Sequence, residues 1–143
     1  MSRPERGDIV HASCVALEGR AVLILGPSGS GKSSLAVELL SRGCALVSDD
    51  RTLIEARDGM LIASAPPAIA GRIEVRGMGI LACDTVLRAV VALAIDLGTE
   101  EDQRLPPERS FTHAECSVPL VRRSRSPHFP AAILLWLKGG RIA

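Results

Sequence analysis

Apolar positions in this chain come mainly in short continuous runs, punctuated by glycine, proline and acidic residues. Ile9–Leu17 (IVHASCVAL) is rich in apolar and β-branched types and predicts a strand. Glu18-Gly19-Arg20 predicts a turn, and Ala21–Leu25 a strand buried on both faces. A glycine-rich turn, Gly26–Gly31, follows. Over Lys32–Arg42 the leucines 35, 39 and 40 recur at i, i+4 and i+5, which predicts a helix with Gly43 at its C-terminal cap. Ala45–Ser48 predicts another buried strand, ending at Asp49-Asp50. Thr52–Ala56 and Met60–Ser64 flank Arg57-Asp58-Gly59, a hairpin signal because Asp-Gly tolerates positive φ. Ala65-Pro66-Pro67 breaks the sheet. Ile73–Val75 and Ile80–Ala82 bracket a short glycine-containing connection. Val90–Leu97 predicts a strand, 99–109 a polar surface loop, Ser117–Val121 a last strand, Arg122–Ser126 a basic loop and Pro130–Lys138 a C-terminal helix. Strand, glycine loop, helix and strand, followed by hairpins, predict an α/β domain with a mixed β-sheet.

With 143 residues, neither an internal repeat nor a second-domain boundary, the chain reads as a single domain over 1–143. Apolar residues make up 47% and charged residues 23%, which excludes extensive disorder. The formal net charge is +1, which argues against bulk capture of nucleic acid or an anionic membrane. Aromatics are 2% (Phe111, Phe129 and Trp136), too few for a base-stacking platform. There is no secretory leader pattern at Met1–Asp8 and no apolar run long enough to span a bilayer, so a cytoplasmic location is expected. The four cysteines, 14, 44, 83 and 116, form no C-x-x-C pair and read as small buried apolar residues.

Gly26-Pro27-Ser28-Gly29-Ser30-Gly31-Lys32-Ser33 matches G-x-x-x-x-G-K-[ST] in full, between a predicted buried strand and a helix. In such a P-loop, backbone N–H groups and the helix N-terminus cradle phosphates. Lys32 reaches the β- and γ-phosphates, and the Ser33 hydroxyl faces Mg²⁺. The motif predicts nucleotide binding but does not name the reaction. An acidic partner is needed, and either Asp49-Asp50 or Asp96 suits. On residue pattern alone His11 reads as a structural histidine, and Glu74 and Arg76 as the solvent face of a strand.

Taken together, His11 with its apolar strand, Gly26–Ser33, Leu46–Asp50 (LVSDD) and Ile73–Leu81 (IEVRGMGIL) resemble the catalytic domain of HPr kinase/phosphorylase. Arg104-Leu105 is a weaker match. The resemblance implies the P-loop fold of that domain, with ATP and Mg²⁺ as cofactors and a serine of the phosphocarrier HPr as acceptor. It implies that Lys32 and the loop residues, Ser34 included, hold nucleotide, that Ser33 and Glu74 face Mg²⁺, and that Asp50, beside Asp49, takes the serine proton. His11, Arg76 and Arg104 complete the implied active site. In reverse the family uses inorganic phosphate and releases pyrophosphate. A homo-oligomer, hexameric in the family, is also implied. The chain resembles a short form of the family. Ser34 stands where the family carries an acidic residue, which implies weaker Mg²⁺ binding. Arg122, Arg123 and Arg125 lie in the region of a family basic loop without matching its motif, and read equally as solvated or as binding phosphate or a partner. Two other readings remain open: a small-molecule kinase using Asp96 with Arg122–Arg125 as lid, and a nucleotide-sensing module with little turnover.

Overall fold

The computed structural model describes residues 7–142. Eleven strands and two helices follow in chain order: β1 (Asp8–Val10), β2 (Ala12–Leu17), β3 (Arg20–Leu25), α1 (Lys32–Ser41), β4 (Ala45–Ser48), β5 (Thr52–Arg57), β6 (Met60–Ser64), β7 (Arg72–Val75), β8 (Gly79–Ala82), β9 (Arg88–Glu100), β10 (Arg109–His113), β11 (Cys116–Arg123) and α2 (Phe129–Gly139). A 3₁₀ turn, Pro67–Ile69, takes up the prolines after β6. Among the described residues no helix is long and apolar enough to cross a membrane.

Nine strands form a curled mixed sheet in the order β1-β5-β6-β9-β3-β2-β4, with β10 joined through β11 to β9. β3 lies parallel to β9, and β2 antiparallel to both β3 and β4. β4 therefore runs in the same direction as β3, with β2 between them. This direction positions the site, because the carboxyl ends of β3 and β4 and the start of β2 meet at one end of the sheet. β9 pairs β3 along one edge, and on the other edge pairs β6 near its start and β11 near its end. β7 and β8 form a separate hairpin. The chain after it returns alongside β4, where Leu46 N–H donates to the Asp84 carbonyl at 2.8 Å and Val86 N–H to the Leu46 carbonyl at 3.0 Å.

Both faces of the central strands are covered, so they read as unbroken apolar runs. On one face Val15, Val22, Ile24, Leu93 and Ile95 pack with Leu35 and Leu39 of α1 and Ile133 and Leu137 of α2. On the other, Cys14, Leu23 and Val91 meet Ile54 and Leu61, which the curl of the sheet brings over them. In β9 the in–out alternation changes phase where the pairing skips between Ala21 and Val22.

Several expectations need adjustment. The first predicted strand is divided at His11 into β1 and β2. β9 extends beyond Leu97 to Glu100 because β11 pairs there, which shortens the polar loop to 101–108. Arg122 and Arg123 belong to β11 rather than to a basic loop, and β10 was not foreseen. The described cysteines are all free; Cys14 and Cys44 are buried as expected, whereas Cys83 and Cys116 are only partly buried.

Cys14 is fully buried, and that burial pushes its thiol far above the ordinary value of 9.0. The folded state thus keeps a proton that the unfolded chain gives up. Stability from this group is intact below pH 9.0 and is lost as the pH rises above it. Urea unfolding across about pH 8–10 should show wild-type stability falling by up to about 1.4 kcal/mol per pH unit more than that of Cys14→Ala. Parallel pH profiles would refute the burial effect.

Candidate active site

The glycine loop leaves the carboxyl end of β3 and enters α1. Gly31 has φ +100, and a Cβ at Gly26 would lie 2.5 Å from Ser30 Oγ, so one position needs glycine for conformation and the other for space. No side chain caps the N-terminus of α1 and its first turn holds no acidic residue, leaving its N–H groups to an outside acceptor. Lys32 is buried and folds back across the loop. Its Nζ donates to the carbonyls of Gly26 at 2.9 Å and Pro27 at 3.1 Å.

Asp49 and Asp50 follow β4 directly. Cys14 on β2 is opposite Ser48 on β4, so one step further the antiparallel register sets Ser13 beside Asp49 and His11 near Asp50. The Ser13 hydroxyl donates to Asp49 Oδ1 at 3.0 Å, and the Ser33 hydroxyl to the same oxygen at 2.7 Å. Asp49 Oδ2 accepts the backbone N–H of Glu74 at 3.2 Å. Asp50 takes the left-handed conformation, φ +67, and its N–H donates to Ser13 Oγ at 3.0 Å. That turn brings Asp50 Oδ1 to 2.8 Å from Nε2 of His11, with both side chains about half exposed (56% and 50%) and open to a substrate.

The β7–β8 hairpin closes the far side. Ile73 is buried in the core against α1, which directs its neighbour Glu74 outward. Glu74, Val75 and Arg76 line a cleft of about 700 Å³ together with Lys32, Ser33, Ser34, Asp49, Asp50 and the loop residues Ser28, Gly29 and Gly31. Cys83 lies near this cluster. Burial pushes its thiol upward, with the carboxylates of Asp84 and Asp49 adding to the effect.

Most of the sequence candidates therefore converge. Arg104 does not; it is exposed in the 101–108 loop and outside the cleft lining. Asp96 is also outside that lining, and its Oδ1 accepts the Gly98 N–H at 2.8 Å. Arg125 pairs with Glu100 at 2.7 Å. One residue escaped the sequence reading, and another, Arg123, was read there only as part of a basic loop. Ser13 is a fully buried hydroxyl in an otherwise apolar strand, two positions from His11, which was the available signal. Arg123 donates to the carbonyls of Leu97 and Ser30, a contact across the fold that leaves no local trace.

The family model of the HPr serine kinase C-terminal domain matches residues 5–92. The chain belongs to this family. It is similar to the HPr kinase/phosphorylase of Clostridium botulinum (strain Eklund 17B / Type B), 46% identical over 72 residues, which is 50% of this chain and 24% of that one. It is similar as well to HPr kinase/phosphorylase 1 of Oceanobacillus iheyensis, 44% identical over 81 residues, 56% of this chain and 26% of the relative. The matched stretch thus spans about a quarter of the length of these relatives. Among solved structures, the Hpr(Ser) kinase/phosphatase from Coxiella burnetii superimposes with a TM-score of 0.78 at 26% identity, covering 92% of this chain and 94% of that one. HPr serine kinase C-terminal domains are therefore the frame in which the cleft is to be read.

Ser13 supplies both a donor to Asp49 and an acceptor to Asp50 N–H. Ser13→Ala should lower stability by about 1–3 kcal/mol, read as a lower urea midpoint at unchanged slope. An unchanged midpoint would show that water replaces both bonds.

Proposed function

We propose that this chain is an ATP-dependent kinase for a serine of HPr or an HPr-like phosphocarrier, working in the cytoplasm, and that it also runs the reverse phosphorolysis. One observation carries the reading: Asp49 is bonded to Ser33 of the glycine loop, while its neighbour Asp50, paired with His11, stays open to the same cleft.

The division of labour follows from the bonds each group has left. Asp49 already accepts two hydroxyls and one backbone N–H, so it is an orienting group. Asp50 is paired only through one oxygen to His11 and can receive a proton. In the forward direction the acceptor serine gives its hydroxyl proton to Asp50 as its oxygen attacks the γ-phosphorus. The bond from that phosphorus to the β–γ bridging oxygen breaks, and ADP leaves. In reverse, an oxygen of inorganic phosphate attacks the phosphoserine phosphorus. The bond to the serine oxygen breaks, Asp50 returns a proton to that oxygen, and pyrophosphate is released. Arg76, which lines the cleft, would hold phosphate oxygens in either direction.

Among the described residues no cluster of three or more His, Cys, Asp or Glu side chains could hold a metal alone. That fits Mg²⁺, which is usually bound by one or two carboxylates together with substrate phosphates. Ser33, whose hydroxyl Asp49 orients, and Glu74 are the residues that would hold it. When bound, Mg²⁺ neutralises charge on the β- and γ-phosphates. The α1 N-terminus and Lys32 add the protein's own positive potential at the same place.

The test is phosphate transfer from ATP and Mg²⁺ to purified HPr. Wild type should yield phosphoserine, and inorganic phosphate added to that product should release pyrophosphate. Asp50→Asn should cut transfer by about 10²-fold or more while nucleotide binding persists. Transfer unaffected by the substitution would remove Asp50 from the reaction, and a wild type that binds ATP without phosphorylating HPr would overturn the assigned acceptor.

A further inference from the structure

Arg123 reaches the glycine loop from 93 residues away in sequence. Its Nε donates to the Leu97 carbonyl at 3.1 Å, and its Nη2 donates to the Ser30 carbonyl. One planar guanidinium thus bridges the end of β9 and the tip of the loop. The register explains how it arrives there. β11 pairs Arg122 with Asp96, but the next pair is Arg123 with Glu100, and such an irregularity redirects the side chain at the bulge.

We infer that Arg123 is a positioning residue: by holding the Ser30 carbonyl away from the cleft, it turns the Gly31 N–H toward it and so sets the affinity of the loop for phosphate. The inference rests on the nucleotide-binding reading above. The physical reason is peptide planarity. In a trans peptide the C=O of one residue and the N–H of the next point in opposite directions. Fixing Ser30 O on the Arg123 side fixes the direction of Gly31 N–H, and Gly31 lines the cleft. The position is otherwise easy to turn. Gly31 sits at φ +100 with nothing within 4 Å of where a Cβ would be, so no contact beside its Cα holds that peptide. The Ser30 side chain offers no alternative anchor, because its hydroxyl is buried and bonds to no other group. Its backbone N–H bonds to the Pro27 carbonyl at 3.1 Å, which secures the near side of Ser30 but not the Ser30–Gly31 peptide. With that peptide reversed, a carbonyl oxygen would face the phosphates in place of a donor.

A purely electrostatic role would be kept by any cation, whereas bridging two carbonyls needs the guanidinium fork. The experiment compares wild type, Arg123→Ala, Arg123→Lys and the surface control Arg57→Ala by calorimetric titration with Mg²⁺-ATP and with pyrophosphate, and by steady-state transfer to HPr. Both Arg123 variants should bind each probe at least about tenfold more weakly, with KM for ATP raised and kcat at saturation largely kept. Free guanidinium ion at non-denaturing concentration should restore binding to Arg123→Ala. In the ligand-free proteins the Gly31 amide resonance should shift in both variants and not in Arg57→Ala, a readout that needs no nucleotide and that a loss of global stability does not mimic. Wild-type affinity in Arg123→Lys would reduce the residue to a charge, and an unshifted Gly31 amide in the variants would overturn the inference outright. A wild type that binds neither probe would instead overturn the functional reading, while the Gly31 resonance still decides the role of Arg123. Should Arg123→Ala not fold, Arg123→Lys and its Gly31 resonance carry the test.

Discussion

The carboxylate of Asp49 is the point on which the site depends. It accepts hydrogen bonds from Ser13 of β2, Ser33 of α1 and the backbone of Glu74 in β7, and it is itself fixed at the end of β4. Four segments distant in sequence are thereby held by one charged group. Bonds to an ionised acceptor are stronger than neutral ones, and a partly buried charge is costly to leave unpaired. The same group therefore rewards the correct arrangement and penalises its loss. The direction of β4, set by the intervening β2, is what delivers Asp49 to the glycine loop at all.

What could be read from the sequence was local. The glycine loop, its flanking strand and helix, and the strand ending at Asp49-Asp50 are written in adjacent residues, where apolar runs and glycine spacing carry the information. Glu74 and Arg76 were legible only through the family resemblance, since alternation with Ile73 and Val75 fits any half-buried strand equally well. What escaped was non-local. Ser13 matters because the β2–β4 register sets it against Asp49. β9 continues through Gly98, Thr99 and Glu100 because β11 supplies hydrogen-bond partners, although those residues are exposed and polar enough to resemble a loop. Arg123 looked like one member of a basic cluster, and only the pairing of β11 separates it from Arg125, which spends its charge on Glu100.

The two adjacent aspartates show how one dipeptide acquires two characters. Asp49 has both oxygens engaged, while the left-handed turn at Asp50 swings its carboxylate outward to His11. Sequence makes them equivalent, and the backbone at φ +67 makes them different. A residue other than glycine pays a steric penalty in that conformation, and Asp tolerates it better than most. The Ser13 hydroxyl offsets it by accepting the Asp50 N–H while donating to Asp49. A single buried serine thus keeps one carboxylate occupied and the other available.

The same contrast between occupied and available groups applies to Lys32. Its ammonium is satisfied by the neutral carbonyls of Gly26 and Pro27, so its burial leaves no unpaired charge. Neutral acceptors hold an ammonium less strongly than phosphate oxygens do. In the proposed reaction Lys32 can therefore exchange these partners for a nucleotide at small cost, because the loop has kept it dry and near its target. The loop that performs this holding is tied from within by the N–H of Ser30 on the Pro27 carbonyl and from outside by Arg123 on the carbonyl of Ser30. The flexible glycines allow the backbone its unusual path, and side chains elsewhere in the sheet select which path is taken.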